Sequence, residues 1–402
     1  MAHRIAITGY GSINALGTGV DAFATALRDG RCGIGELTIF PSAGFRTTLA
    51  AEVRALTAPA TLPRPLVRGV SRTGLLALIA ADEAWRMAGA GDGSGVGVIL
   101  GTTTGGMSGG EEAYRTQLER RRTPSLRRWL ETPISAGSDL IARAIGSSGP
   151  RLTVSTACSS GANALGLGAD WLRTARARAV LCGGADSLCR MTYSGFNALQ
   201  ALDRSPCRPF DRRRAGITLG EGAAMFVLEP WDAAVQRGAR ILGEFLGYGV
   251  SADAHHVTQP RPDGAGAVLA MRRALAAGAT PPEAIDYINA HGTGTPQNDL
   301  VETRAIKQVF GAHAYRIPVS STKSQVGHCL AAGGAIEALA SLLALRDGFV
   351  PPTATLGEPD PECDLDYVPR TSRRARLRTV LSNSYGFGGN NTSVVLRDGD
   401  AA

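Results

Sequence analysis

Residues 152–173 read LTVSTACSSGANALGLGADWLR. This pattern predicts a strand, a turn that carries Cys158, and a helix rich in small residues. Residues 317–345, IPVSSTKSQVGHCLAAGGAIEALASLLAL, repeat the plan with Lys323 and His328 in the turn. Because one plan occurs twice, we expect two related halves, divided near residue 240, whose turns meet at one central site.

The remaining sequence predicts an α/β protein, because apolar strands alternate with Ala-rich helical stretches. Residues 1–240 would form the half with the candidate cysteine, and residues 241–402 the half with two candidate histidines. The predicted helices cover residues 74–88, 157–173, 265–277, 299–310 and 331–346. The predicted strands cover residues 4–8, 95–100, 151–155, 179–183, 224–229, 241–250, 285–289, 317–320, 379–384 and 392–397. A short basic loop is predicted at 120–122 and 127–128.

The composition of the 402 residues excludes several classes of protein. Hydrophobic residues make up 44% and charged residues 19%, which is typical of a globular chain. No apolar run reaches the roughly 20 residues of a membrane helix, and no secretory signal pattern is present, so we expect a cytoplasmic protein. Seven scattered cysteines lack disulfide or metal spacing, so no metal is expected.

The net charge of +7 raises the question of a nucleic-acid partner. The arginines are spread along the chain, and aromatic residues make up only 5%. We therefore expect no nucleic acid; a basic surface also suits an acidic protein partner. Lys307 and Lys323 are the only two lysines.

Cys158 lies in STACSSG, residues 155–161, where the predicted strand gives way to the predicted helix. The dipole of a helix N-terminus would lower the pKa of this thiol and favour the thiolate. The small neighbouring residues leave room for a bulky thioester. A buried structural cysteine is an equally good interpretation of this motif alone.

Three further motifs follow predicted strands. His291 lies in NAHGTGTP, residues 289–296; Lys323 and His328 lie in STKSQVGH, residues 321–328. Residues 383–391, NSYGFGGNN, form a Gly-rich turn whose backbone N–H groups are suited to an oxyanion hole. Taken singly, a structural histidine explains the first motif better than a catalytic one. A capping loop is the alternative for the second motif and a tight hairpin for the third.

Together, Cys158, His291, Lys323, His328 and the GFGG turn resemble the beta-ketoacyl-acyl-carrier-protein synthases, in particular the elongating synthase II type. The resemblance runs from ITGYGSIN (7–14) through CRPFDRRRAGITLGEGAAMFVLE (207–229) to LSNSYGFGGNNTSVVL (381–396). Two positions depart from the pattern. The turn reads GGNN where family members commonly have GGTN, and Thr104 occupies a position often held by Ile.

The resemblance implies a thiolase-like fold with two βαβαβαββ halves in αβαβα layers, usually dimeric. It implies decarboxylative condensation of an acyl thioester with a malonyl thioester on a carrier protein. Cys158 would carry the acyl group, and the N–H groups of Cys158 and Phe387 would hold its oxyanion. His291 and His328 would stabilise the enolate left by loss of CO2.

The resemblance also implies supporting residues and partners. Lys323 would tune the histidine pair, with Glu337 and Asp299 balancing its charge. Further roles are the pantetheine arm (Thr293, Thr295), the gating and oxyanion loops (Thr258, Gly386, Phe387) and the acyl pocket (Thr104, Phe196). An acidic acyl carrier protein would dock on the basic surface, with Arg68, Arg72, Arg127 and Arg128 as candidates. No metal or other cofactor is implied, since the substrate carries the phosphopantetheine.

Several alternatives share this fold. The motifs fit equally a fatty-acid enzyme and the ketosynthase of a type II polyketide or polyene system, so a homodimer and a heterodimer with a chain-length-factor-like subunit both remain open. Cys158 argues against the chain-length factor itself, and His328 argues against a CoA-primed initiating synthase. A biosynthetic thiolase would carry a second catalytic cysteine near the C-terminus, and residues 383–391 contain none. A distant alternative is a serine hydrolase that uses Ser108 of GMSGG, residues 106–110.

Overall fold

The computed structural model describes residues 4–120, 123 and 126–399. In this part of the chain, ten strands form one continuous path through the main sheet. In chain order they are β1 Ile5–Asn14, β2 Val96–Gly101, β3 Arg151–Val154, β4 Ala179–Asp186, β5 Gly222–Pro230, β6 Gly243–Ala252, β7 Tyr287–Asn289, β8 Val319–Ser320, β9 Thr379–Gly386 and β10 Asn390–Arg397. The two-residue strand Gly17–Thr18 pairs with β1. There are also two small two-stranded sheets, one formed by Ile34–Glu36 and Leu49–Ala51 and the other by Phe349–Val350 and Arg373–Arg374.

The strand order repeats between the halves of the sheet. The first half runs β1-β5-β4-β2-β3 and the second runs β6-β10-β9-β7-β8, so equivalent strands occupy equivalent places. In both halves the pairs at the outer end are parallel and the pairs at the inner end antiparallel. Within the described part of the sheet, the strands of the two halves pair through β1 and β6, where Ala6 lies opposite Glu244 and Ile7 opposite Gly243.

Six helices complete the layers: α1 Arg72–Ala88, α2 Ala136–Ile145, α3 Ser160–Arg173, α4 Ala265–Ala277, α5 Pro296–Phe310 and α6 Gly333–Asp347. Helices α1 and α2 cover the outer face of the first half; α4 covers that of the second, with α5 packed beside it in the same apolar cluster. Helices α3 and α6 contact each other and strands of both halves. Every residue of α6 from Gly333 to Leu345 is buried, as its nearly unbroken apolar sequence predicts. The result is the predicted αβαβα arrangement.

The remaining α-helices are Val20–Arg28, Arg64–Val67, Met107–Arg120, Leu126–Leu130, Arg190–Ala198, Trp231–Gln236 and Lys323–Val326. Helices Met107–Arg120 and Leu126–Leu130 flank the predicted basic loop, so the prediction of a loop at Arg120 and residues 127–128 is wrong; residues 121–122 lie outside the described residues. None of the described helices is long and apolar enough to cross a membrane. The division at residue 240 stays a prediction; it falls between helix Trp231–Gln236 and β6.

Candidate active site

Cys158 lies in a turn between β3 and α3. The sequence predicts a helix from residue 157, but α3 begins at Ser160, because Ala157 adopts a left-handed conformation with φ 53°. The Ser160 hydroxyl holds this turn by accepting from the Thr156 N–H at 2.8 Å and donating to the Ala157 carbonyl. The turn therefore presents the Cys158 side chain before the helix starts.

The expectation of a low pKa for Cys158 is wrong, because the side chain is buried. Burial raises the pKa of the thiol to about 11, while the Lys323 charge and the Phe387 N–H, which donates to the sulfur, pull in the opposite direction. Loss of water around the sulfur outweighs the stabilisation that the local sequence predicts. The free protein accordingly holds Cys158 as a thiol.

His291 and His328 are neighbours in an edge-to-face arrangement, with ring centroids 5.5 Å apart and ring planes at 84°. Burial and the nearby Lys323 charge hold both histidine pKa values well below the ordinary range, so both rings are neutral. The Leu330 N–H donates to His328 Nδ1 at 3.2 Å, and Lys323 Nζ lies 3.2 Å from His291 Nδ1. With each Nδ1 serving as an acceptor, each ring carries its proton on Nε2 and is a neutral donor.

Lys323 and Glu337 form a buried ion pair, and the Lys323 ammonium lies next to His291. The Ser384 hydroxyl donates to the other oxygen of Glu337 at 3.4 Å. Burial raises the pKa of Glu337, and the Lys323 ammonium opposes that rise. The ammonium thus reaches one histidine directly without bordering the cavity.

Asp299 is not part of the Lys323–Glu337 ion pair. The expectation that Asp299 balances the charge of Lys323 is therefore wrong. Its carboxylate accepts from the Phe210 N–H at 2.8 Å and from the Gly294 N–H at 3.2 Å. These bonds fix the loop that follows His291. Within that loop the Thr293 and Thr295 hydroxyls lie 2.9 Å apart, and Thr295 also caps α5 by accepting from the Asn298 N–H.

One cavity of about 200 Å³ gathers most of the predicted residues. Its lining includes Cys158, Phe196, Thr258, His291, Thr293, Thr295, His328, Gly386 and Phe387. Each motif reaches it from a turn or loop at the carboxyl end of a strand, where functional residues of α/β proteins gather. Phe196 and Phe387 stack across it with ring centroids 5.6 Å apart. At Gly386 a Cβ atom would come within 2.9 Å of the Thr156 carbonyl, so this close approach needs glycine.

Thr104 does not line this cavity, contrary to the expectation of an acyl-pocket residue. Its hydroxyl donates to Asp186 Oδ1 at 2.8 Å and lies 3.4 Å from the Thr73 hydroxyl. The side chain is therefore committed to a buried hydrogen-bond network. Whether a residue borders a cavity depends on such distant partners, which the local sequence does not indicate.

Arg72 is likewise not a free surface arginine. It donates to the fully buried Glu221 carboxylate at 2.8 Å and to the Val53 carbonyl. Arg68 and Arg128 are exposed, whereas the side chain of Arg127 lies outside the described part of the chain.

Ser108 lies in the first turn of helix Met107–Arg120 and does not occupy a sharp strand-to-helix turn. The Ser187 hydroxyl donates to the Ser108 hydroxyl oxygen at 3.5 Å. A second cavity, of about 240 Å³, borders Ser108, and no histidine is among its described lining residues. The geometry of a serine hydrolase is therefore not formed at this residue.

Two buried carboxylates near the site escaped the sequence analysis. Glu302 accepts the backbone N–H groups of His291 and Gly292, both at 2.8 Å, and burial raises its pKa to about 7. Asp186 ends β4 and accepts five donors. Neither residue lies in one of the motifs, and the partners of Asp186 are 82 to 145 residues away, so no signal of these contacts was visible in the sequence.

Comparison with known proteins identifies the family. Residues 2–234 match the model for "Beta-ketoacyl synthase, N-terminal domain", and residues 242–357 match "Beta-ketoacyl synthase, C-terminal domain". The chain is 38% identical over 408 residues to 3-oxoacyl-[acyl-carrier-protein] synthase 2 of Synechocystis, covering 98% of each chain. It is 40% identical over 403 residues to nodulation protein E of Rhizobium meliloti strain 1021, covering 99% of this chain and all of the relative. It is 41% identical over 416 residues to putative polyketide beta-ketoacyl synthase 1 of Streptomyces cyaneus, covering 98% of each.

Solved structures agree with this result. The ishigamide ketosynthase/chain length factor aligns with a TM-score of 0.94 at 36% identity, covering 99% of this chain and all of that chain. A type II polyketide ketosynthase, in complex with its acyl-carrier protein and bound to a hexaketide, aligns with a TM-score of 0.91 at 30% identity, over 99% and 100% of the two chains. The predicted thiolase-like fold is confirmed. With both family models matched along one continuous fold, the chain belongs to the beta-ketoacyl synthase family.

Proposed function

We propose that this chain joins an acyl group held on Cys158 to a malonyl thioester on an acyl carrier protein, with loss of CO2. The observation that carries the proposal is the single cavity onto which a thiol and two neutral imidazole donors open. A nucleophile next to two neutral donors suits a reaction with separate acyl-transfer and enolate-forming steps. The reaction uses only groups of the protein and its thioester substrates.

In the first step, the Cys158 sulfur bonds the acyl carbon and the pantetheine sulfur leaves, taking up the thiol proton. The N–H of Phe387 already points at the Cys158 sulfur and, with the N–H of Cys158, would hold the oxyanion that forms beside it. Because burial keeps the thiol protonated, attack needs the proton to leave as the carbon–sulfur bond forms. The positive charge of Lys323 favours that loss.

In the second step, the malonyl thioester loses CO2 and becomes an enolate. The Nε2–H groups of His291 and His328 would donate to its oxygen, each stabilising the developing charge by about 3 kcal/mol. The enolate carbon then bonds the acyl carbon as the bond from that carbon to the Cys158 sulfur breaks, and the Cys158 thiolate takes a proton from water. Neutral histidines suit this step, since each has a proton to donate at ordinary pH.

The carrier protein would deliver its pantetheine arm through the mouth of the cavity. Thr293 and Thr295 border the cavity and would offer hydroxyls to the polar arm. Thr258 and Phe387 border the same cavity and would act as its gate. Arg68 and Arg128 remain candidates for docking an acidic carrier protein, since both side chains are exposed. The solved relative with its carrier protein supports a partner of this class.

We further propose that the chain works as a dimer that pairs through β3. In the described part of the sheet, β3 is an outer strand, and Leu152 on it is 37% exposed. An unpaired strand edge with an apolar side chain is a ready site for another chain. The partner is a second copy in a fatty-acid system, or a chain-length-factor-like subunit in a type II polyketide or polyene system, as in the ishigamide relative.

The test separates the two half-reactions in purified protein. Wild type, Cys158→Ala and His328→Ala are incubated with acyl carrier-protein thioester, and adducts are mapped by peptide mass spectrometry. CO2 release from malonyl carrier protein is measured on the same samples. We expect Cys158→Ala to lose the adduct but keep CO2 release, and His328→Ala to keep the adduct but lose most CO2 release. An adduct on another residue, or full CO2 release by His328→Ala, would contradict the proposed roles.

A further inference from the structure

Asp186 is a fully buried carboxylate that none of the proposed steps uses. It ends β4 in the first half of the sheet, yet one of its hydrogen bonds reaches the turn that carries His328 in the second half. Burial raises its pKa, and the hydrogen bonds it accepts oppose that rise. A carboxylate in such a place needs many donors, and Asp186 has five.

Four of those donors belong to residues that follow β2. Asp186 Oδ1 accepts from the Thr102 hydroxyl at 2.7 Å and from both the N–H and the hydroxyl of Thr104 at 2.8 Å. The Thr103 N–H lies 3.0 Å from Oδ1 and 3.2 Å from Oδ2. This side of the carboxylate therefore fixes the whole 102–104 segment.

The fifth donor belongs to the other half of the molecule. The Ala331 N–H donates to Asp186 Oδ2 at 2.9 Å. The preceding residue, Leu330, adopts a left-handed conformation with φ 50°, and its N–H donates to His328 Nδ1. Asp186 thus anchors the residue next to the group that fixes the orientation and tautomer of His328.

The charge of Asp186 also reaches Cys158. After burial, Lys323 and the Phe387 N–H, the Asp186 charge is the next influence on the pKa of the thiol, and it acts to raise it. Asp186 therefore has two separate effects at the site, one through position and one through charge. Each can be measured by itself.

We propose that Asp186 is a positioning residue: its carboxylate fixes the turn that aims His328 at the malonyl thioester and ties that turn to the 102–104 segment. The inference rests on the proposed role of His328. A carboxylate is suited to the task because both oxygens are acceptors, whereas an amide offers one acceptor and one donor group. Thr104, which does not reach the cavity, would still be linked to the chemistry through Asp186.

The first test compares Asp186→Asn with Asp211→Asn. In Asp186→Asn the single oxygen would serve the crowded Thr102–Thr104 side, leaving an NH2 group opposite the Ala331 N–H. We expect CO2 release from malonyl carrier protein to fall about tenfold or more, because a small misplacement of a donor is costly. Asp211 is also a buried carboxylate that accepts backbone N–H bonds, from Arg213, Gly357 and Glu358, and does not line the cavity. Asp211→Asn is expected to release CO2 like wild type.

A second pair of variants separates position from charge. Asp186→Glu keeps the charge but displaces it, so CO2 release should fall while the pH profile of Cys158 alkylation by iodoacetamide stays in place. Asp186→Asn should shift that profile to lower pH, because a negative charge that raises the thiol pKa is gone. Thr102→Val removes one donor from Oδ1 and leaves the Ala331 bond, so its CO2 release should stay within about threefold of wild type.

The outcomes distinguish the inference from the proposed function. Wild-type protein that releases no CO2 would overturn the function itself. If wild type is active and Asp186→Asn matches Asp211→Asn in CO2 release, the inference is wrong. It is also wrong if Thr102→Val loses as much as Asp186→Asn. Should Asp186→Asn fail to fold, Asp186→Glu and Thr102→Val decide, since normal CO2 release by Asp186→Glu would contradict a positional role.

Discussion

At the scale of single residues, the reactive thiol sits among buried charges of opposite effect. Burial is the largest influence on the pKa of Cys158 and raises it; Asp186 and Glu337 also raise it, whereas Lys323 lowers it. The motif around Cys158 predicts the position of the nucleophile, because a strand–turn–helix pattern is local. The state of its proton was not predictable, because the elements that bury the thiol and the three charges around it are distant in sequence, the charges by 28 to 179 residues.

This balance makes a signed prediction. Lys323→Met should raise the pKa of Cys158 and slow its alkylation at pH 8 several-fold. Glu337→Gln should lower that pKa and speed alkylation, because it removes a negative charge instead of a positive one. Rates are measured by peptide mass spectrometry between pH 7 and pH 10.

The other lysine of the chain supplies the matched control. Lys307 pairs with Asp364 away from the cavity, so Lys307→Met should leave the alkylation profile unchanged. Breaking the buried pair is expected to destabilise the protein by about 3–5 kcal/mol, so each variant is first checked for cooperative unfolding. Shifts of the same sign in Lys323→Met and Glu337→Gln would show that packing, not charge, governs the thiol.

At the scale of elements, close approach between the two halves builds the site. A Cβ atom on Gly161, in the first turn of α3, would meet the Ala331 carbonyl at 2.7 Å. The repeated small residues at the start of α3 and before α6 were visible in the sequence, and the predicted helices agree with the observed ones to within three residues at each end. The sequence did not reveal which faces of the helices and strands contact one another. For that reason the prediction that Thr104 lines the acyl pocket was wrong.

Two Gly→Ala substitutions are expected to change the stability of the protein in opposite directions. Gly161→Ala should destabilise the protein by about 1–3 kcal/mol, because the new methyl group overpacks the contact with Ala331. Gly195, in helix Arg190–Ala198, has open space where its Cβ would lie, so Gly195→Ala should stabilise by up to about 1 kcal/mol through helix propensity. Urea unfolding measures both, and a stabilised Gly161→Ala would contradict the close approach.

At the scale of the whole molecule, one strand order used twice explains why distant motifs meet. Each half repeats the same sequence of parallel and antiparallel pairs, and the turns after β3 and β8 converge on one cavity. The repeat between residues 152–173 and 317–345 was enough to predict this convergence. The quaternary state was not predictable, because an exposed strand edge leaves no periodic signal in the sequence.

The proposed pairing through β3 predicts that a charge on that edge separates the subunits. Wild-type protein should scatter light as a particle of about twice its 41.7 kDa chain mass. Leu152→Lys should reduce the mass to that of one chain, since a lysine on an edge strand discourages strand pairing. Leu269 is 41% exposed on α4, on the outer face of the second half, and Leu269→Lys should remain dimeric. If wild type alone is a monomer that dimerises only with a chain-length-factor-like subunit, Leu152→Lys should abolish that complex instead. A Leu152→Lys protein that pairs as well as Leu269→Lys would place the interface elsewhere.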